Sequence, residues 1–182
     1  MACDLTRGRK EPCKDVVGGL KAVYFTDFGD YGTVTQTDDE ITDMAGTFTA
    51  YKYELKGNSS FEQTITSSRE NGTTFFEQTL NLTLKKLSKE DNKELKLMAY
   101  GRPHVAVEDY NGNVFIMGLE HGAEVSGGSI TTGSSMSELS GYSITLSASE
   151  LKPANFVSGA TANNPFAGLA SATETITEGT NS

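Results

Sequence analysis

His104 and His121 are the residues of this 182-residue chain best suited to acid–base or metal chemistry, and no other histidine is present. Glu108 and Asp109 follow the first, and Glu120 and Glu124 flank the second. Imidazole together with carboxylate is a donor set for zinc or a related transition metal. However, the two histidines fall on separate predicted segments, outside the H-x-x-x-H spacing that places two rings on one helical face. They are expected to be polar residues at strand ends. A second acidic group runs through residues 27–43: Asp27, Asp30, Asp38, Asp39, Glu40 and Asp43, with no cation among them. Its spacing does not match an EF-hand loop and no helices are predicted beside it. A solvated acidic loop is therefore expected rather than a calcium site.

Nucleophilic chemistry finds no better footing. The chain is rich in serine, but it lacks a G-x-S-x-G elbow and a strand-to-helix nucleophile turn. Gly127, Gly128 and Gly133 match neither a phosphate-binding loop nor a dinucleotide fingerprint, and are expected to serve turns or subunit contacts. Cys3 and Cys13 are too few to build a zinc site and are expected to remain free thiols in a reducing compartment. No signal peptide precedes Val16, and no stretch is long enough for a transmembrane helix. Asn58, Asn71 and Asn81 open glycosylation sequons, which without a leader are read as ordinary turn and strand composition. No catalytic residue, metal ligand or cofactor is assigned, and the chain is expected not to be an enzyme.

Stepping from side chains to their carriers, 182 residues make one domain with room for an appendage. Hydrophobic residues make up 36% and mean hydropathy is −0.36, which is lean for this length. A thin β-sandwich or barrel with extended arms fits that balance. Net charge is −9 and its distribution is uneven. Arg7, Arg9, Lys10, Lys14 and Lys21 crowd the N-terminus, while Lys152 is the one basic residue after Arg102. Gripping nucleic acid requires a basic face to neutralise phosphates, and the body of the chain has none. An acidic surface would instead let a duplex pass without adhering.

Residues 1–18 read as a basic N-terminal arm, 19–150 as the β domain and 151–182 as a C-terminal extension too poor in large apolar residues to pack alone. From Leu20 to Phe25 both alternating faces are apolar, which predicts a strand covered on two sides or at a subunit contact. Thr47–Leu55, the segment from Phe61 to Ile65 and the long alternating run Thr73–Lys85 predict an antiparallel meander turned at residues 57–59 and at Asn71-Gly72. Phe76, Gln78, Leu80, Leu82 and Leu84 should face the core, and Glu77, Thr79, Asn81 and Thr83 water or a polar lumen. Ser88 is placed as the N-cap of one short helix, with Asp91 three residues on, Leu95, Met98 and Ala99 as its apolar stripe, and Gly101 and Pro103 stopping it. A hairpin turned at Asn111-Gly112 joins Val105–Val107 to Val114–Leu119, and strands follow at Ser129–Thr132 and Tyr142–Ala148.

Three phrases in this order resemble tail-tube-type proteins of tailed bacteriophages, particularly crAss-like and other phages infecting Bacteroidetes. They are LTRGRKEPCKDVVGGLKAVYF (Leu5–Phe25), DYNGNVFIMGLEHGAEVSGG (Asp109–Gly128) and LSGYSITLSASELKPANF (Leu139–Phe156). Acidic residues 27–43 and the C-terminal extension lie outside the resemblance. It implies a mainly β fold, an antiparallel sandwich or barrel with one short helix and extended terminal arms. It also implies a virion structural protein: a homo-oligomeric ring or tube subunit, made in the host cytoplasm and built into the virion tail. Its implied partners are adjacent rings and other tail or connector proteins. Double-stranded DNA would pass through the lumen without specific binding, and no membrane is involved. The competing expectation is a surface β-sandwich that binds carbohydrate or acts as an adhesin, which the absence of Trp and of a leader disfavours. Val16, Phe156 and Phe166 are expected to make contacts between subunits.

Overall fold

The computed structural model describes residues 5–180, and the protein is mainly β: twelve strands in two sheets, with one helix. The chain enters the fold through β1 (Leu20–Thr26), after residues 5–18 have run along the surface without regular structure. The hairpin of β2 (Val34–Thr37) and β3 (Glu40–Met44) follows, then β4 (Thr47–Glu54), β5 (Ser60–Ser68) and the long β6 (Thr73–Lys85). Helix α1 (Lys89–Tyr100) leads to β7 (His104–Asp109), β8 (Val114–Met117), β9 (Glu124–Thr131) and β10 (Gly141–Glu150). Two C-terminal strands, β11 (Asn155–Val157) and β12 (Thr173–Glu178), complete the chain.

The large sheet has the order β12-β4-β1-β7-β8-β11-β3-β2 and the small one β5-β6-β10-β9. The small sheet is antiparallel throughout. In the large sheet β12 runs parallel to β4, and β11 parallel to β3. Both parallel pairs come from the last thirty residues, because only a long return connection brings a strand in parallel to its neighbour. The expected meander breaks after β4, which pairs with β1 and β12 in the large sheet and leaves only the β5–β6 hairpin in the small one.

Two cores result. Between the sheets, Val23, Phe25, Val105, Val107 and Met117 meet Leu80, Leu82, Tyr142, Ile144 and Leu146. On the other face of the large sheet, Tyr24, Ala50, Ala106 and Ile116 pack under Tyr31, Val157, Phe166 and Leu169. This second core explains why β1 is apolar on both faces. A bulge between Leu20 and Ala22 turns Leu20 to the inter-sheet side, away from Ala22 and Tyr24.

The second core also corrects the expectation for the C-terminus. Residues 151–180 lie on their own sheet rather than forming an extension awaiting a neighbour. Phe166, expected at a subunit contact, is 0% exposed and packs edge-on to Phe48 at 5.0 Å between ring centroids. Phe156 is exposed and tilts against Phe115, while Val16 remains exposed on the arm.

Residues 27–43 differ from expectation too. Instead of an acidic loop they include a β-hairpin whose two-residue turn, Asp38-Asp39, has positive φ at both positions (52° and 61°). That geometry matches the twist of flanking strands, and Asp tolerates it better than most residues. At α1 the expected cap is present, with the Ser88 hydroxyl accepting from the Asp91 amide at 3.0 Å. The Tyr142 hydroxyl donates to the Ser88 carbonyl (3.0 Å), fastening the cap to β10. Gly101 is extended rather than left-handed, so Pro103 and not a glycine turn accounts for the stop.

Candidate functional site

The titratable residues are built into latches. His104, at the start of β7, is buried and stacks against Tyr31 at 4.6 Å and Phe28 at 4.9 Å. Its Nδ1 lies 2.7 Å from the Gly118 carbonyl, and its Nε2 lies 3.1 Å from the Gly29 amide, which can only donate. The ring is therefore the neutral Nδ1–H tautomer, fully used in tying the 27–31 segment to the turn after β8. Burial pushes its pKa below the ordinary histidine value. At that turn Gly118 has φ +67°, and a Cβ there would come within 2.5 Å of the Gly122 backbone, so only glycine fits.

His121 finds its partner not in Glu120 or Glu124 but in Glu150, at the far end of β10. Glu150 is buried. One oxygen accepts from the Glu120 and His121 amides (3.1 and 2.9 Å), and the other lies 2.9 Å from His121 Nδ1. That hydrogen bond, and then the carboxylate's charge, raises the pKa of the exposed His121. The pairing contributes stability that is fully present below about pH 6.5 and is lost as pH rises through the higher folded-state pKa. Glu150→Gln should return the His121 titration toward about 6.5, read from the imidazole proton shifts by NMR. An unmoved midpoint would contradict the latch.

Glu120, His121 and Glu150 form the one group of three among the described residues whose potential ligand atoms lie within 4.8 Å of one another. The Glu150 oxygens already hold three donors, so the cluster is satisfied as protein. His104 is not brought into it. Glu108, expected near His104, is instead buried under Lys21 (2.5 Å) and the Tyr24 hydroxyl (3.0 Å). Burial and then the Glu108 charge hold the Tyr24 hydroxyl well above the usual tyrosine range. Asp109 caps the β7–β8 turn, accepting from the Asn111 and Asn113 amides at 2.9 and 2.8 Å. Those turn bonds keep its pKa low against the opposing effect of burial. Asp43 accepts from the Ser171 amide (2.9 Å), fixing the C-terminal segment, and the Ser171 side chain and then its amide lower the Asp43 pKa. Gly127 and Gly128 lie within β9, where a Cβ on Gly128 would meet the Ser143 carbonyl at 2.7 Å. Cys13 is exposed and free, while Cys3 lies outside the described residues.

A surface of a different kind covers the outer face of the small sheet. Reading across the register, Glu62, Thr79, Ser147 and Glu124 stand in one row, Ser60, Asn81, Thr145 and Gly127 in the next, then Thr83, Ser143 and Ser129. Strands are also linked within a row, as where the Thr145 hydroxyl donates to Asn81 Oδ1 at 2.9 Å. Both edges of this sheet are open, since β5 pairs only with β6 and β9 only with β10. The alternation of β6 announced this face. Its extension over four strands depends on register, which local sequence does not carry.

The fold and these surfaces define a mainly β two-sheet protein with one small helix. No family model, curated protein or solved structure matches the chain. Among the described residues no helix is long and apolar enough to cross a membrane.

Proposed function

We propose that this chain is a virion structural subunit of the tail-tube type, which assembles into a closed ring with the outer face of its four-stranded sheet turned to the lumen. The observation that carries the reading is that face: hydroxyl and amide side chains over four strands, with Glu62, Glu77 and Glu124 outnumbering Lys85 among its charges. A wall of this chemistry stays wet and repels a polyanion, so duplex DNA would slide past without binding. The open edges provide the means of closure. β5 and β9 run in opposite directions, so copies related by rotation meet β9 to β5 as an antiparallel pair, and a complete ring leaves no edge exposed. The sequence resemblance to phage tail-tube proteins supports the same reading, and under it the protein belongs to the virion tail with neighbouring rings as its partners.

The purified chain should form rings visible by electron microscopy, and its mass by light scattering should rise with concentration to a fixed multiple of the protomer. Neither the rings nor the full-length chain should retain duplex DNA at physiological salt. A strictly monomeric chain at high concentration with no rings would overturn the assignment.

A further inference from the structure

Four of the fifteen basic residues of this acidic protein lie close together on a segment that its own body leaves uncovered. All described residues before Leu20 are exposed, Leu5 almost completely, and the segment carries Arg7, Arg9, Lys10 and Lys14 against Glu11 and Asp15. Its root is fixed. Asn111 accepts from the Val17 amide (3.0 Å) and donates to the Val17 carbonyl (2.8 Å), much as a neighbouring strand would. The opposite potential lies elsewhere on the molecule, in a groove of about 600 Å³ between α1 and β4–β12. Tyr51 and Tyr53 line it, together with Glu54, Glu90, Asp91 and Glu94. Its one lysine, Lys52, is already held by Glu178 at 2.6 Å and Glu54 at 3.6 Å. Burial pushes the Tyr53 hydroxyl up to about 12, and the charges of Glu94 and Asp91 add to the effect. A second hollow of about 360 Å³ continues from Tyr51, Tyr53 and Glu94 to the apolar Leu97, Met98 and Phe28.

We propose that this groove receives the basic N-terminal arm of a neighbouring copy, a contact that rests on the ring reading above and gives it a specific joint. Arginine and lysine heads meet the carboxylates of α1 and the faces of Tyr51 and Tyr53, while their methylene stems and Leu5 cover the apolar end. The arm's root is held away from the groove of its own copy. Asn111 draws the arm to the β7 side of β1, whereas the groove lies on the β4 side. A head-to-tail repeat thus carries each arm toward the next groove, and residues 5–16 span up to about 40 Å when extended.

The test uses the full-length chain carrying Arg7→Glu, Arg9→Glu and Lys10→Glu as receiver, and a fluorescent peptide of residues 5–18 as probe. Those three side chains are exposed and make no hydrogen bond or ion pair within the described residues, so the receiver should fold as the parent does. Anisotropy should show saturable binding in low salt that weakens as screening increases. Adding Glu90→Lys and Glu94→Lys to the receiver should weaken binding ~10-fold or more, with circular dichroism verifying that the helix is kept. In assembly, the arm reversal should raise the concentration needed for rings by a similar factor, and combining it with the groove reversal should restore it. Absence of peptide binding, equal binding of a scrambled peptide of the same composition, or indifference to the groove substitutions would overturn the joint even if rings form. Specific peptide binding by a chain that forms no rings would instead uphold the joint and sink the ring.

Discussion

Replacing Phe166 with alanine should destabilise the protein by about 3–5 kcal/mol, the range for deleting a fully buried aromatic ring. The residue belongs to a segment whose composition gives no hint of a core, and its ring closes a cluster formed by Tyr24, Phe48 and Tyr31, with centroids 6.4, 5.0 and 6.1 Å away. The surrounding backbone is tied down as well, by Asn164 bonded to Glu174 (2.6 Å) and by Asp43 to Ser171. Collapse into the void is therefore limited, which favours the upper part of the range. Guanidinium unfolding checks it, and a loss below about 1 kcal/mol would mean that the segment lies loosely on the sheet. Deleting residues 151–182 should be more damaging still and leave no folded monomer, because Ile41, Met44, Phe48 and Ala50 lose their cover.

His104→Ala should cost about 3 kcal/mol or more. It strands the buried Gly118 carbonyl, at about 1–3 kcal/mol, removes the acceptor of the more exposed Gly29 amide, and empties the space between Phe28 and Tyr31. His104→Phe keeps the stacking and loses only the hydrogen bonds, so the difference between the two variants apportions the cost. The native histidine also imposes a pH dependence. The unfolded chain takes up a proton near pH 6.5, while the folded ring resists until a lower pH because burial disfavours its charged form. The stabilisation is therefore complete above about pH 6.5 and falls away as pH drops through the folded-state pKa. Unfolding midpoints measured between pH 7.5 and 5 should decline in the parent and decline less in His104→Phe; parallel declines would assign the acid sensitivity to other groups.

Much of the β framework could be read from local pattern. Alternation located β4, β6 and β10, Asn111-Gly112 located the β7–β8 turn, and Ser88 with Asp91 located the helix start. The two apolar faces of β1 left open cover on both sides or a subunit contact, and the structure has cover on both sides. What was not legible depended on partners distant in sequence. The β2–β3 hairpin looks like an acidic loop because its turn is Asp-Asp and its buried residues, Ile41 and Met44, are few. β12, TETITE, has the β-branched alternation of a strand, but its place beside β4 depends on a return across more than a hundred residues. For the same reason the Glu150 partnership of His121 was hidden behind nearer carboxylates. The groove between α1 and β4–β12 joins three separate segments, so its acidity was visible only as scattered residues.

The late arrival of Phe166 and β12 bears on how the protein is made. The strand paired with β12 leaves the ribosome more than a hundred residues before its partner does, and the hydrophobic face beneath Phe166 stays open throughout. Completion of the large sheet must therefore wait until β12 has been made, and such distant contacts form slowly. A chain that has not yet added this segment keeps an exposed hydrophobic face of the kind that chaperones and proteases recognise.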